Sequence, residues 1–192
     1  MTAPVVVLVV GRPAAGKTVV AAAIAERFGL PVVAKDDVKE LLFDALGTGD
    51  RQWSKRLGRA AFDVLDLLIE RLLEARASFV IDAAFDAALA GERFRAWHDR
   101  HGFRIVQVHC TAPRAVLLDR FAGRAAADRH PGHVDAGNLD ECAASLDVPR
   151  QEVFDLPGPV VEAAAGADGR LDVDGVLHAL APLLAPAPPP RA

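Results

Sequence analysis

The chain is poor in cysteine, with only Cys110 and Cys142 among its 192 residues. Two cysteines do not make a disulfide framework in a domain of this size, and neither stands at metal-ligand spacing from another Cys or His. We therefore expect both to be free thiols.

Long apolar runs are also missing. The longest uninterrupted ones are far shorter than the roughly 20 residues that a membrane-spanning helix needs. The N-terminus has no basic segment ahead of an apolar stretch, as a secretory signal would. We therefore expect a cytoplasmic protein with no membrane partner.

Positive charge is not in excess, since the formal net charge is −4. This balance argues against a broad electrostatic surface for nucleic acid, so we expect no nucleic-acid partner and a small-molecule one instead. A content of 52% hydrophobic and 25% charged residues fits one globular α/β domain. The sequence does not define an oligomeric state.

The most specific motif is GRPAAGKT, which runs from Gly11 to Thr18 and matches G-x-x-x-x-G-K-[ST] without a gap. It follows an apolar, mostly β-branched run at residues 5–10 and precedes an Ala-rich helical stretch at 19–28. In a strand, loop and helix of this order, backbone amides converge on the phosphates of a nucleotide. Lys17 would reach the β- and γ-phosphate oxygens, and the Thr18 hydroxyl would hold Mg²⁺. The predicted nucleotide-binding residues of this loop are Gly11, Arg12, Pro13, Ala14, Ala15, Gly16, Lys17, Thr18 and Val19.

A pair of aspartates, Asp36 and Asp37, follows the second predicted strand at residues 30–34. The next stretch, 38–46, has helical spacing with Val38, Leu41, Leu42 and Ala45 on one face. Asp37 with Glu40 three residues later fits a capping box, which leaves Asp36 on the turn and free to act as a base. An ordinary turn aspartate is the alternative for Asp36, and the base could be Asp37 if the helix starts earlier.

A third predicted strand, residues 78–81, ends at Asp82. A carboxylate there is typical of a Walker B position, where it would bind Mg²⁺ together with Thr18, although it could instead cap the next turn. Phe85 lies in the loop that follows, at 83–90. We predict that Asp36, Asp37, Asp82 and Phe85 contact the substrate.

The rest of the chain continues to alternate between helical and strand patterns. Helices are predicted at 51–77, 91–101, 113–124, 149–154 and 171–184, and strands at 104–110 and 160–163. The buried stripe of the long helix is predicted at Leu57, Ala61, Leu65, Leu68 and Leu72. Such alternation gives a parallel sheet covered on both faces, with ligands at the C-terminal ends of the strands. We expect a single domain over residues 1–184 and a disordered, proline-rich tail at 185–192.

Between residues 125 and 147 the apolar pattern breaks down, which predicts a mobile segment. Arg120, Arg124 and Arg129 lie in or beside it and would close over the phosphates as a lid, at about residues 120–147. A solvated helix face is the alternative for Arg124. His130 and His133 have H-x-x-H spacing, but no Cys or acidic residue completes a metal site in the sequence.

With these segments in view, the sequence resembles the small P-loop kinases, a group that includes chloramphenicol phosphotransferase and zeta-toxin-like kinases. The resemblance rests on the GRPAAGKT unit, KDDVKELLFD, FVIDAAF, and CTAPRAVLLDRFAGR followed by RHPGH, and it extends to about Pro149. It implies a P-loop NTPase-type three-layer α/β/α sandwich with a five-stranded parallel sheet of order 2-3-1-4-5. It also implies ATP with Mg²⁺ as cofactors and a hydroxyl of a small molecule as the acceptor.

For individual residues, the resemblance implies that Asp36 is the catalytic base and that Arg120 lies near the adenine. Arg124 or Arg129 would engage the phosphates, and we count Lys17 and Arg129 with Asp36 as catalytic. The segments that correspond to the acceptor pocket, about 47–62 and 83–95, are not recognisably similar. The acceptor, whether antibiotic, nucleoside or sugar, therefore stays open.

Other functions are compatible with a P-loop. One is a toxin-type kinase of a nucleotide sugar, and another is an NTP-binding regulator that transfers nothing. The sequence has no N-K-x-D motif for reading guanine, and its acidic balance disfavours a polynucleotide kinase.

Overall fold

The computed structural model describes residues 3–126, 130–133 and 139–185. Its strands are β1 (Val5–Gly11), β2 (Val32–Ala34), β3 (Phe79–Asp82), β4 (Arg104–Thr111) and β5 (Val160–Ala164). Its helices are α1 (Lys17–Phe28), α2 (Lys35–Leu46), α3 (Arg51–Glu74), α4 (Ala87–His101), α5 (Arg114–Ala126), α6 (Leu139–Asp147) and α7 (Val173–Leu184), and a 3-10 turn lies at Pro131–His133. Arg129 and the predicted tail beyond residue 185 lie outside the described residues.

The five strands form one parallel sheet of order β2-β3-β1-β4-β5, which confirms the expected order. β1 lies at the centre, and all seven of its residues are buried. A strand covered on both faces has no solvent side, which explains why its sequence is almost continuously aliphatic.

The core has two halves, one on each face of this sheet. Successive side chains of a strand point to opposite faces, so Val7 and Val9 pack with Val20 of α1 and Leu180 of α7. Even-numbered residues of β1 face the other way, into a cluster with α3 and α4 that contains Leu65 and Phe94. This arrangement is the three-layer sandwich that the family resemblance implied.

The N-terminal end of α2 differs from the prediction. The helix begins at Lys35, directly after β2, and its N-cap position is Ala34, whose side chain makes no capping hydrogen bond. The predicted capping box of Asp37 and Glu40 is therefore wrong. Asp36 and Asp37 both lie in the first helical turn, where carboxylates interact favourably with the helix dipole.

The buried face of α2 also differs from the prediction. Lys39 and Phe43 are buried, whereas Leu41 is 67% exposed. Phe43 is covered by the turn at Pro131–His133, because the His130 ring stacks on it at 5.2 Å between centroids. This contact joins segments about 90 residues apart, so local spacing could not show it.

Smaller differences concern α3, α4 and the segment between α6 and β5. The buried stripe of α3 continues through Ile69 and Leu73 in place of the predicted Leu68 and Leu72, because the steps of four residues that begin at Leu57 continue to Leu73. α4 begins four residues earlier than predicted, at Ala87. The predicted helix at 149–154 is absent, and α6 forms within the segment that composition had marked as mobile.

Within the described residues, no helix has both the length and the apolar character required to cross a membrane.

The segment around Phe154 is not helical, and the side chain of Gln107 makes hydrogen bonds to its backbone. Gln107 is fully buried on β4, where its Nε2 donates to the Phe154 carbonyl at 2.9 Å and its Oε1 accepts from the Phe154 amide at 2.7 Å. The pair fixes this irregular segment against the sheet.

His109, two residues further along β4, is flanked by two carboxylates. Its Nε2 lies 3.2 Å from Glu152 and its Nδ1 lies 3.1 Å from Glu162. The hydrogen bond to Glu152 raises the pKa of His109, and this outweighs the opposing effect of burial, with Glu162 adding to the rise. Folding therefore favours the protonated imidazolium of His109 relative to the unfolded chain.

We predict that Gln107→Leu lowers the free energy of unfolding by about 1 to 3 kcal/mol, because the buried Phe154 amide loses its acceptor. Urea unfolding of wild type and variant measures this difference. Gln151→Leu, at an exposed position, is the control and should change stability little. An equal loss in both variants would contradict a specific role for the buried amide pair.

We predict that the stabilising contribution of His109 depends on pH. A pKa that is raised on folding stabilises the fold fully below the unfolded value of about 6.5, and the contribution is lost as the pH rises through the folded value. The stability gap between wild type and His109→Gln should therefore be largest near pH 5.5 and shrink towards pH 8.5. A gap that grows with pH in urea titrations would contradict this interpretation.

Candidate active site

The GRPAAGKT loop forms a tight curve between β1 and α1. Gly11, Ala14 and Gly16 all have positive φ angles, of 137°, 65° and 101°. A Cβ on Gly11 would lie 2.1 Å from the Cys110 carbonyl oxygen, so only glycine fits this point of close strand approach. Successive turns of this kind direct backbone amides to one side and create an anion-binding concavity.

Lys17 closes this concavity. Its ammonium donates to the carbonyl oxygens of Gly11 at 3.0 Å and Arg12 at 2.9 Å, and the residue is only 9% exposed. Burial lowers the pKa of Lys17, while the nearby Asp82 carboxylate counteracts that shift. A phosphate bound in the loop would bring a stronger anionic partner to the same ammonium.

Thr18 and Asp82 meet at the predicted magnesium site. The Thr18 hydroxyl donates to Asp82 Oδ2 at 2.8 Å, because the register of β1 and β3 places Asp82 beside Val9, just before the loop. Burial raises the pKa of Asp82, against the lowering effects of the Thr18 hydrogen bond and of Lys17. A hydroxyl and one carboxylate next to a phosphate cradle suit Mg²⁺, which keeps several waters and takes its other ligands from the phosphates.

No group of three or more potential protein ligands for a metal occurs in the described part of the chain. His130 and His133 point to different carboxylates, Asp44 at 3.1 Å and Glu40 at 2.8 Å. The H-x-x-H pair therefore fastens the turn at Pro131–His133 to α2.

A cleft of about 310 Å³ opens in front of the loop, towards α2, α3 and α6. It brings together the predicted residues Lys17, Thr18, Asp36, Asp82 and Arg124, although they come from four separate parts of the sequence. Its walls consist of Pro13, Lys17, Thr18, Lys35, Asp36, Lys39, Arg51, Phe62, Asp82, Ala83, Ala84, Phe121, Arg124, His133, Glu141 and Ser145.

Asp36 and Asp37 differ in their relation to this cleft. Asp36 lines it, about half-exposed, with Oδ1 at 3.1 Å from Lys35 Nζ. Asp37 is exposed and is not among the lining residues. Partial burial raises the pKa of Asp37, and the neighbouring Glu40 and Asp36 carboxylates add to the rise.

Phe85, predicted to contact the substrate, is 3% exposed and lies in the core. Its ring packs against Phe94 at 5.2 Å, Phe62 at 5.4 Å and Phe154 at 5.9 Å between centroids. Phe62 is the aromatic residue of this group that lines the cleft.

A second cavity, of about 510 Å³, adjoins the outer side of the loop. Arg120 lies in its wall and donates to the carbonyl oxygens of Ala14, at 3.0 Å, and of Gly169. The loop between β5 and α7 contributes Gly169 and Leu171 to its wall, and Val173 at the start of α7 completes it. No local sequence pattern indicates that this loop adjoins the GRPAAGKT motif, because the two lie about 150 residues apart and only the topology brings them together.

The Arg12 side chain lines neither the cleft nor the second cavity. Its guanidinium pairs with Glu152 and donates to the carbonyl oxygens of Ser145 and Val148, at 2.8 and 2.9 Å. Arg12 therefore ties the loop to the C-terminal end of α6. Burial acts to raise the pKa of Glu152, but the hydrogen bonds from His109 and Arg12, with the charges of both, together lower it.

Several further cleft residues were not identified from the sequence, among them Lys39, Glu141 and Ser145. Lys39 was missed because the apolar pattern of α2 predicted a different buried face. Glu141 and Ser145 were missed because they lie on α6, which was not predicted as a helix. A spacing of three residues from Asp36 is the one signal that would have pointed to Lys39.

Among solved structures, a candidate kinase from Chloroflexus aurantiacus J-10-fl is 30% identical, with a TM-score of 0.81 over 93% of this chain and 97% of that one. A gluconokinase from Sinorhizobium meliloti 1021 is 22% identical, with a TM-score of 0.52 over 96% and 95%. A sugar kinase from Janibacter sp. HTCC2649 is 17% identical, with a TM-score of 0.52 over 96% and 99%. The last two likenesses concern the fold.

No curated protein matches the sequence. Residues 6–149, which include the loop, both cleft aspartates and α5, match the AAA domain family. The chain therefore belongs to the AAA domain family, and it has the fold of the small P-loop kinases.

Proposed function

We propose that the protein is an ATP- and Mg²⁺-dependent phosphotransferase that moves the γ-phosphoryl group to a hydroxyl of a small molecule. The observation that carries this proposal is that Lys17 of the phosphate-binding loop and Asp36, a carboxylate suited to act as a base, line one cleft of about 310 Å³. Phosphoryl transfer needs these two groups on either side of the reacting atoms.

The nucleotide would lie across both cavities. Its phosphates would bind the amides between Ala14 and Thr18, and its base would occupy the second cavity beside Arg120 and Leu171. Arg124 lines both cavities, so it is placed to contact the phosphates between them. Backbone amides and fixed cations act on the charge that spreads over the transferred group in the transition state.

Thr18 and Asp82 would hold Mg²⁺, which supplies charge neutralisation of the phosphate oxygens when it is bound. The rest of the chemistry depends on the chain itself. Lys17 would orient the γ-phosphate. Because Lys17 and Asp82 are buried beside the β-strands, this end of the cleft is shielded from water.

Asp36 would accept the proton of the acceptor hydroxyl as the oxygen attacks phosphorus. The adjacent Lys35 ammonium donates to the Asp36 carboxylate at 3.1 Å and so helps to hold it at the cleft wall. The position of Asp36 at the start of α2 leaves it half-exposed on the cleft side, where an acceptor can reach it.

A cleft of this volume fits a small molecule, at the lower end of the range for ligand pockets. Its described walls include residues of α2, α3, α5 and α6. This geometry favours a metabolite-sized acceptor over a polymer.

We predict slow ATP hydrolysis by the protein alone and faster ATP turnover when a suitable hydroxyl compound is added. Lys17→Ala should lose most turnover, by about 10²- to 10³-fold, because it removes charge stabilisation from the transition state. Coupled measurement of ADP with a panel of hydroxyl acceptors tests both statements. Lys55→Ala, an exposed lysine outside the cleft walls, is the control.

A nucleotide-binding regulator would bind ATP but show no acceleration with any acceptor. That result, or near-normal turnover in a folded Lys17→Ala variant, would contradict the proposed function.

We predict that Asp36→Asn reduces phosphoryl transfer by roughly 10²- to 10⁴-fold, because the amide keeps the shape and loses the basicity. Asp37→Asn should stay within a few-fold of wild type, since Asp37 lies outside the cleft walls. Single-turnover transfer rates and unfolding free energies of both variants distinguish catalysis from folding. An inactive Asp37→Asn beside a normal Asp36→Asn would assign the base to Asp37.

A further inference from the structure

Arg12 belongs to the phosphate-binding loop through its backbone and contacts α6 through its side chain. Its carbonyl oxygen accepts from the Lys17 ammonium at 2.9 Å and from the Ala15 amide at 3.2 Å, so its backbone helps to shape the loop. Its guanidinium donates to the carbonyl oxygens of Ser145, in the last turn of α6, and of Val148, directly after that helix. One residue therefore joins the phosphate-binding loop to a helix that lines the cleft.

The guanidinium acts as a cap for the C-terminal end of α6. The last four carbonyl groups of a helix have no partner within the helix, and they carry a partial negative charge that a cation stabilises. α6 has no basic residue in its own last turn. Arg12 supplies the cation from 133 residues away in the sequence, so the end of this helix depends on the position of the loop.

A carboxylate fixes the Arg12 side chain in this position. Glu152 accepts from Nε of Arg12, and its second oxygen lies 3.2 Å from Nε2 of His109 on β4. The side chains of Arg12 and Glu152 are only 18% and 14% exposed. All three guanidinium nitrogens thus have an acceptor, an arrangement that needs the rigid fork of an arginine.

α6 has little packing of its own to hold it in place. It has nine residues, and none of those whose side chains the structure describes is buried. Helices this short are marginal without tertiary contacts, and segments with few buried contacts open most readily. Glu141 and Ser145 of this helix line the cleft, so the position of α6 determines the shape of the acceptor side.

Other contacts of α6 reach elements outside the loop. Glu141 pairs with two cations of α3, and Asp147 pairs with Arg114 of α5 at 3.1 Å. These ion pairs are largely exposed, so each contributes little to stability. Arg114 is a matched comparison for Arg12, because it holds the same end of α6 from α5 instead of from the loop.

We propose that Arg12 is a positioning residue that couples nucleotide binding in the loop to the placement of α6 along the acceptor side of the cleft. A nucleotide that orders the loop fixes Arg12, and the helix that Arg12 caps is then fixed with it. An acceptor that binds next meets a wall already in place, so each substrate raises the affinity for the other. The proposal rests on the proposed function, because it takes the loop as the nucleotide site and the cleft as the acceptor site.

Hydrogen exchange of the full chain, followed by mass spectrometry, tests this coupling without an acceptor. Amide exchange in residues 139–148 is compared with and without Mg²⁺ and a non-hydrolysable ATP analogue. We expect the analogue to slow exchange in this segment at least about fivefold, the lower end of the usual range for coupling between sites. An unchanged exchange rate in the wild type would overturn the proposal.

Two matched variants assign the effect to Arg12. Arg12→Met removes the guanidinium that the loop contributes, and Arg114→Met removes the one that α5 contributes at the same end of α6. With the analogue at saturation, as calorimetry verifies, it should no longer slow exchange in residues 139–148 of Arg12→Met. In Arg114→Met, exchange should be faster with and without the analogue, and the slowing by the analogue should persist. A purely structural Arg12 would give the Arg114→Met pattern, and that result would overturn the proposal.

If Arg12→Met does not fold, Arg12→Lys replaces it. A single ammonium does not have the fork geometry that serves Glu152 and both carbonyl oxygens together. The slowing by the analogue should therefore fall by at least about half in Arg12→Lys, because coupling depends on all three contacts. Full slowing in this folded variant would contradict the role given to Arg12.

Binding measurements give an independent readout once an acceptor is known. In the wild type, the acceptor should bind more tightly when the analogue is present, and the analogue should gain affinity by the same factor when the acceptor is present. Arg12→Met should remove both gains and leave the affinity for the analogue alone within about threefold. Equal gains in the variant and the wild type would overturn the proposal.

The proposed function fails in a different way. If the slowing of exchange depends on Arg12 but no hydroxyl compound speeds ATP turnover, the coupling stands and the transfer reaction does not. If acceptors are phosphorylated while the slowing survives Arg12→Met, the transfer reaction stands and the coupling does not.

Discussion

The hydrogen bond between the Thr18 hydroxyl and the Asp82 carboxylate joins the phosphate-binding loop to the neighbouring strand β3. It exists because β1 and β3 are parallel and in register up to Val9 and Asp82, so both strands deliver their next residues to the same edge of the sheet. Lys17, Asp36 and Arg124 reach that edge from separate elements, and the proposed site depends on this one alignment.

A buried lysine lies at each end of the cleft, and a different kind of hydrogen-bond acceptor holds each ammonium in place. At the loop end, Lys17 is held by backbone carbonyls, and its pKa is lowered by burial. At the acceptor end, Lys39 is held by a side chain of α3. A lysine fixed by carbonyl oxygens can turn to a phosphate when one binds, whereas the Lys39 ammonium is held between α2 and α3.

Much of this arrangement could be predicted from the sequence. The P-loop, the alternation of strands and helices, and the position of Asp82 at the end of β3 follow from local patterns, and the strand order follows from the family resemblance. Asp36 was predicted on the turn before α2, but it lies in the first turn of that helix. The features that were missed depend on contacts distant in sequence: Phe43 is buried by His130, and Gln107 fixes the chain at Phe154. Lys39 was missed for a related reason, since hydrophobic periodicity assigns a lysine to solvent, whereas a helix that lines a binding cleft can bury one.

The central claim is that the γ-phosphoryl group of ATP leaves the loop for a hydroxyl in the facing cleft. Incubation with ATP labelled with ¹⁸O in the γ-phosphoryl group and a metabolite mixture, followed by mass spectrometry, tests this directly. The account predicts that the label appears as one added phosphoryl group on a small hydroxyl compound. Label found only in inorganic phosphate would contradict it.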